Sequence, residues 1–415
     1  MRPLRIGICV AITFAVLASG VVETWSESVL EILAALLFLW WGIGLARGRV
    51  TQIRWCPVLW PVLGLTLLGV AQLAIPLSVY PYLTKVELLR VASYLLLLFL
   101  SVQAFRATRH WHMFAWFIVW LGFAISVFAI LQDLTFNGKI YWFRELTYGG
   151  VPFGPFVNRN HFAGFIELVV PIGLALLAVR GTRRDQLPLI GLLTVLPVGA
   201  LALSASRGGI LAFGAELIVL VLLLLLVGAQ KRQLIAGLLA LGVAAALVSW
   251  LGFDQVMARF SEVHNPEVTQ AHRVAMAKSA WHIFLDHPVA GTGLGTIISV
   301  FPRYDTDYDA KIVDHVHNDH AELLAETGAI GGLCWLAFLV LLFGYGFRNL
   351  KRDHDPLVRA VHLGALVACT GLLVHGLMDF NLHIASNALL FYVMAGMATA
   401  VPDPSPSISQ PSRYR

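Results

Sequence analysis

The sequence predicts an all-α polytopic membrane protein of about twelve transmembrane helices, with one large outer loop that contains an amphipathic helix. Composition is the first reason. Hydrophobic residues make up 58% of the 415 and charged residues only 13%, about half the charge of a soluble domain of this length. The second reason is twelve apolar windows, each of about the length a bilayer-spanning helix needs: 6–22, 29–45, 56–76, 86–105, 111–133, 161–180, 186–204, 208–228, 232–251, 329–347, 357–378 and 384–401. The third is the placement of basic residues. With the N-terminus inside, the segments MRPLR, ARGRVTQIR, RATRH, RGTRRD, AQKRQ, RNLKRDHD and PSRYR fall on the cytoplasmic side, and each carries at least two Lys or Arg. The short outer turns VETWSES and DFNLH carry none, as the positive-inside bias requires.

The first window has a second reading as a cleaved signal peptide, since ASG at 18–20 offers a small-residue cleavage site. The charge pattern favours a retained helix. Residues 1–401 then form a single integral membrane domain. The loop 252–328 is inserted between the ninth and tenth spans, and the Pro/Ser-rich stretch 402–415 is a disordered cytoplasmic tail. The net charge of +5 belongs to the cytoplasmic loops, so it is no sign of nucleic-acid binding. The four cysteines, Cys9, Cys56, Cys334 and Cys369, lie in or beside apolar segments and form neither a disulfide framework nor a CxxC metal motif.

Cations on the outer side need an explanation. Solvation suffices for Lys139, Arg259, Lys278 and Lys311. Arg207, in LALSASRGGILAF, has almost no loop in which to be solvated. It reads either as an interfacial side chain snorkelling to headgroups or as a cation at the lip of a cavity. Arg273, in QAHRVAMAKSAWHIFLDHP, falls within the apolar arc of Met276, Ala277, Ala280, Trp281, Ile283 and Phe284 when the stretch is read at 100° per residue. Lys278 and His282 fall outside that arc. Arg159 lies in FVNRNHF, where Asn158 or Asn160 can cap the following helix; an arginine beside a helix N-terminus suits an anion. Lys85 sits between Tyr80, Tyr82 and a span, as an aromatic belt or a substrate contact. Arg303 joins them on the outer side. Convergence of several of these cations would mean an anionic ligand arriving through lipid, such as a lipid-linked diphosphate.

The densest titratable stretch, HVHNDHAELLAETGAIGG at 315–332, lies where the large loop enters the tenth span. His317 is followed by Asn318, nine residues, Gly328, two residues and Gly331. Histidine suits proton transfer near neutrality. The pattern His-Asn-x9-Gly-x2-Gly resembles the signature of the O-antigen ligase and O-antigen polymerase family of membrane glycosyltransferases. FVNRNHFAGF, LSASRGG and HRVAMAKSAWHIFLDHPVAGTGLGT are similar to further segments of that family, in order over roughly 150–335. One departure is Arg159, where many relatives are expected to carry proline.

The resemblance implies transfer of a glycan from a polyprenyl-diphosphate carrier to an acceptor hydroxyl on the periplasmic face of the inner membrane, with inversion and without metal or cofactor. The acceptor is lipid A core for ligases or another lipid-linked glycan for polymerases. It also implies His317 as the base or the group that orients the acceptor, and Arg207 and Arg273 as stabilisers of the leaving diphosphate. Arg159, Asn160, Asn158, Lys85, Asn318 and Arg303 are then substrate contacts.

Other readings compete. His315, His317 and His320 with Asp314 or Asp319 form a possible zinc set, but not at a familiar spacing. DTDYD at 305–309 reads as an acidic loop rather than a metal-binding Asp-x-Asp, and GTGLG at 291–295 as a turn rather than a phosphate loop. His362 and His375 read as satisfied helix-interior residues. Glu167 and Glu216 lie inside apolar spans, where carboxylates are costly and often functional. The rival from another class is a flippase or exporter of lipid-linked saccharide; charge clustered on one face and the absence of an inverted repeat speak against it.

Overall fold

The structure, a computed structural model, describes residues 1–146, 150–228, 270–306 and 312–403, with the single positions 235, 242 and 246. Its helices in chain order are α1 (Arg2–Leu17), α2 (Thr24–Ala46), α3 (Leu59–Ala74), α4 (Pro81–Ala104), α5 (Thr108–Leu134), α6 (Arg159–Val179), α7 (Leu187–Ser204), α8 (Arg207–Leu226), α9 (Gln270–Asp286), α10 (Asp319–Arg352), α11 (Pro356–His375) and α12 (Ala385–Thr399). Among the described residues the only β pairing is isolated bridges. Eight of the described helices are long and apolar enough to cross a membrane, and α3 and α12 are shorter apolar helices. Among the described residues, helices occupy the other eleven predicted windows, and positions 235, 242 and 246 within 232–251 are helical. The rest of that window, all of 252–269 with Arg259, positions 307–311 with Lys311, and the tail from 404 lie outside the described residues.

The bundle has a centre and a rim. The apolar window of α6 is 94% buried and that of α11 78%, against 17% for α2. The protein therefore encloses α6 and α11 and leaves α2 against the surroundings. Lipid tails are as apolar as leucine, so close packing of this central pair, not exclusion of water, has to hold it.

Chain reversals gather at two ends. At one end Arg5 Nη1 donates to Ala104 O (3.4 Å), Gln103 Nε2 to Arg54 O (2.7 Å), and Asn349 Nδ2 to Ala398 O (3.2 Å). At the other, Tyr141 Oη donates to Leu17 O (2.5 Å), Arg144 pairs with Glu23 (2.5 Å), and Ser386 N donates to Gly20 O (3.1 Å). The second end carries the polar centre described below.

Three helices start at that end on side-chain caps. Asn158 Oδ1 accepts from Asn160 N (2.8 Å), Ser206 Oγ from Gly209 N (3.2 Å), and Asn318 Oδ1 from Ala321 N (2.9 Å). Each such cap stabilises a helix by about 1 kcal/mol. Of the two candidate caps for α6, Asn158 is the one used.

Candidate functional site

The site grows from the loop that joins α11 to α12. Asp379 there is wholly buried. His317 Nδ1 lies 3.0 Å from Asp379 Oδ1, and Asn160 Nδ2 donates to Asp379 Oδ2 at 2.6 Å. Arg273 Nη2 is 3.9 Å from the same Oδ2, and Arg273 Nη1 donates to the Met378 carbonyl. Ser206 Oγ, next to Arg207, donates to Asn160 Oδ1 at 2.8 Å. Asn318 Nδ2 donates to Leu377 O at 3.1 Å. One turn of chain, 377–379, thus holds Asn160, Arg273, His317 and Asn318 together, and Arg207 follows through Ser206.

Asp379 is the residue that sequence reading missed. Burial pushes its carboxyl pKa up, but the hydrogen bond from His317 and the charges of His317 and Arg273 outweigh burial and hold it below the usual carboxylate range. An ionised Asp379 accepts from Nδ1–H of His317, and in the neutral ring that places the lone pair on Nε2. The signal was present in MDFNLH: two titratable groups and an asparagine in a short turn between two apolar spans.

His317 has φ +50°, a left-handed conformation that costs a residue with a Cβ about 1–2 kcal/mol. The capped start of α10 and the bond to Asp379 hold it there. Phe380 packs beside it, its ring 4.8 Å from His317, 4.7 Å from His315 and 5.1 Å from His161.

The three histidines of the motif separate, which removes the zinc set drawn from them. His315 Nδ1 bonds Glu322 Oε1 (2.7 Å), His317 goes to Asp379, and His320 Nε2 contacts Leu373 O (3.0 Å) while its Nδ1 accepts from Trp335 Nε1 (3.1 Å). Among the described residues, one group able to hold a metal is His315, Glu322 and His383, whose ligand atoms lie within 4.8 Å of one another. They are already joined as a hydrogen-bonded network, with His383 Nδ1 3.0 Å from Asp319 Oδ1 and Nε2 3.3 Å from Glu322 Oε1. Burial pushes the His383 pKa down, but the Glu322 charge and the bond to Asp319 raise it to about 10. His383 is therefore a cation shared by two buried carboxylates.

The glycines of the motif build the backbone around this centre. Gly328 interrupts α10 with φ +60° and ψ −160°, and a Cβ there would lie 2.5 Å from the Val289 carbonyl carbon. Ala329 N donates to Pro288 O (2.8 Å) and Ile330 N to Val289 O (3.1 Å), so the DHPVAGTGLG turn lies directly on the kink. Glu326 completes the clamp, accepting from Gly295 N (2.8 Å) and Ile297 N (3.0 Å). GTGLG is a structural turn, as expected with no Gly-Lys-Ser/Thr following it.

The remaining candidates lie as follows. Arg207 is exposed at the first position of α8. Arg159 is buried, at 3% exposure, on the first turn of α6. Lys85 on the first turn of α4 and Arg303 in the 301–303 turn are exposed, and no hydrogen bond or ion pair draws either into the Asp379 cluster. In α9, Met276, Ala280 and Ile283 are buried against Ile297, Phe301 and Val316, whereas Trp281 is 50% exposed. The buried face is narrower than the predicted arc, and it packs on the loop's own small core.

Glu167 also has a partner, and the partner is His375: Nδ1 lies 2.8 Å from Glu167 Oε1. His375 Nε2 lies so close to Gly208 that a Cβ there would meet it at 2.7 Å. Glu216 is wholly buried in α8 against Gly371 of α11, and neither carboxylate oxygen has a hydrogen-bond partner among the described residues.

Fold and site together define a multi-pass helical membrane protein with a His–Asp–Arg centre, built on a buried aspartate, at one end of its bundle. Residues 192–336 match the O-antigen ligase family, which bears out the resemblance seen in the motifs. The chain is 26% identical over 262 residues to the teichuronic acid biosynthesis protein TuaE of Bacillus subtilis, covering 60% of this chain and 51% of that protein. It is 27% identical over 270 residues to an O-antigen ligase of Pseudomonas aeruginosa, covering 64% of this chain and 59% of that protein. The chain thus spans between half and three-fifths of the length of these curated relatives. The family match contains Arg207, Arg273, Arg303, His317 and Asn318; Asp379, Asn160 and Lys85 lie outside it.

Proposed function

We propose that the protein transfers a glycan from a polyprenyl-diphosphate donor to an acceptor hydroxyl, on the periplasmic face of the bacterial inner membrane. The observation that carries this reading is the 3.0 Å contact between His317 Nδ1 and Asp379 Oδ1, on a carboxylate that Arg273 also approaches. His317 Nε2 takes the proton of the acceptor hydroxyl. The acceptor oxygen bonds to the anomeric carbon as the carbon–oxygen bond to the diphosphate breaks, with inversion. The diphosphate departs with the bonding electrons, and Arg273 and Arg207 offset its growing charge. A positioned base contributes roughly 10²–10⁴-fold.

Three helix N-termini, of α6, α8 and α10, are tied to this centre through Asn160, Ser206 and Asn318. Their dipoles favour an anionic donor there. Asn158 acts as the cap of α6, and Arg159, buried on the same turn, is a donor contact. Exposed Lys85 and Arg303 are outer substrate contacts. The domain layout that serves this reading is one membrane domain over 1–401, the loop 252–328 inserted before α10, and a cytoplasmic tail from 402.

The match to an O-antigen ligase favours lipid A core as acceptor. The match to a teichuronic acid biosynthesis protein keeps a second reading, polymerisation onto another lipid-linked glycan. A deletion strain rescued with wild type or His317→Ala tests both. Full-length polymer stranded on its carrier with a bare acceptor means ligase; acceptor bearing single repeat units means polymerase. Full rescue by His317→Ala removes the base assignment and returns the transporter reading.

A further inference from the structure

The far end of α10 holds a second polar feature, independent of the reading above. Arg352 ends this helix, and from the Gly328 kink the unbroken part runs roughly 35 Å to it at 1.5 Å per residue. Beside Arg352 a cavity of about 420 Å³ opens between α10, the strap before α3 and the end of α12. That is room for on the order of a dozen waters, more than one ion needs.

Its lining is unusual for a membrane bundle. Arg54 enters from the strap, Arg348 and Arg352 from successive turns of α10, with Asn349 between them. Trp55 and Tyr345 form the aromatic wall, and Trp55 stacks on Trp60 at 5.2 Å with an interplanar angle of 8°. Arg54 already takes an anion, the Asp403 carboxylate, and donates through Nη1 to Val401 O at 3.0 Å. Arg348 and Arg352 are exposed and take part in no hydrogen bond or ion pair with a described residue.

We infer that this cavity binds a phosphate oxyanion, held by Arg348 and Arg352, and that its source is the headgroup of an anionic membrane phospholipid. Guanidinium groups match phosphate oxygens with paired N–H donors. A basic pocket between helices at a membrane boundary is the setting in which headgroups are captured. The tryptophan and tyrosine supply an amphipathic wall where headgroup gives way to acyl chain. A free phosphate shares the chemistry of the oxyanion but has no use for that wall.

The test uses the full chain in neutral detergent. Native mass spectrometry reads retention of phosphatidylglycerol against phosphatidylcholine, and thermal unfolding reads the response to each lipid and to inorganic phosphate alone. Wild type is expected to retain phosphatidylglycerol about tenfold over phosphatidylcholine, and Arg348→Gln/Arg352→Gln to lose that preference. Both arginines are exposed, so the double variant should unfold like wild type without lipid; if it does not, Arg348→Lys/Arg352→Lys, which keeps the charge and loses the paired donors, replaces it and is expected to weaken the preference. An arginine-dependent rise in Tm with inorganic phosphate alone assigns the oxyanion to a free phosphate. Equal retention of the two lipids together with no response to phosphate, or a preference unchanged in both double variants, overturns the site.

Discussion

His317 Nδ1 and Asp379 Oδ1 lie 3.0 Å apart, although 62 residues of chain separate them. The contact joins the last residues of the large loop to the turn after α11. It orients the imidazole, so in the proposed reaction the carboxylate acts through the ring it holds.

Asp379→Asn keeps the shape of this contact but removes the charge that fixes the tautomer. Transfer from a synthetic lipid-linked donor should fall roughly 10²–10³-fold, close to the loss in His317→Ala. The pH profile of the residual activity should shift as well. A variant with wild-type rate and profile would sink the dyad.

The left-handed backbone at His317 predicts a separation of stability from activity. His317→Gly should be about 1 kcal/mol more stable than His317→Ala, and unfold at higher temperature, because glycine accepts φ +50° without a Cβ penalty. Both should lose transfer by roughly 10²–10³-fold. Equal unfolding temperatures would mean that the loop relaxes once the imidazole is gone.

Arg207 and Arg273 should respond differently. Arg207 is exposed, so Arg207→Ala should leave unfolding unchanged and slow transfer by about 10²-fold or more. Arg273→Ala removes the bond to Met378 O and a cation near Asp379, so it should lower both rate and stability. Normal rates in both variants, at normal expression, would refute the leaving-group role.

Glu167 and His375 form a buried pair next to the Arg207 turn. Glu167→Leu alone should cost about 3–5 kcal/mol, since it strands a buried partner. Glu167→Leu/His375→Leu should recover much of that loss. A double-mutant cycle by thermal unfolding reads the coupling; additive losses would show that the two groups do not act as a pair.

Stability should depend on pH in two limbs. The folded pKa of His383 is raised from 6.5 to about 10, so its contribution is complete below 6.5 and is lost as pH rises towards 10. The pKa of Asp379 is depressed below its ordinary 3.8, so its contribution is present above 3.8 and is lost as pH falls further. Thermal unfolding across pH 3–10 should show an acid and an alkaline loss, with buried Glu326, raised to about 8 by burial, adding to the loss on the alkaline side. His383→Gln should flatten the alkaline limb, and an unchanged limb would assign that loss to another group.

Most of the helices and several site residues were legible in the chain. Arg273, His317, Asn160 and Asn318 stood out because polar groups beside apolar spans are costly enough to need a reason. Their common partner did not stand out. Asp379 sits in a turn that reads as a plain outer loop, and only the return of α11 beside α6 and α10 brings it to Asn160 and His317. The zinc alternative failed for a related reason: spacing placed three histidines together, while the capped start of α10 sends their rings to Glu322, Asp379 and Leu373.

The sequence by itself determined the membrane class, the helices and the cations that need an anion, because hydropathy and charge are local properties read one segment at a time. It also marked the glycines at which the backbone turns. The tertiary structure decided which groups meet: that Asp379 holds His317, that His383 bridges two carboxylates, that Glu167 answers to His375. Those pairings depend on helix packing between residues up to 208 positions apart, as for Glu167 and His375, and no period or spacing encodes such a distance.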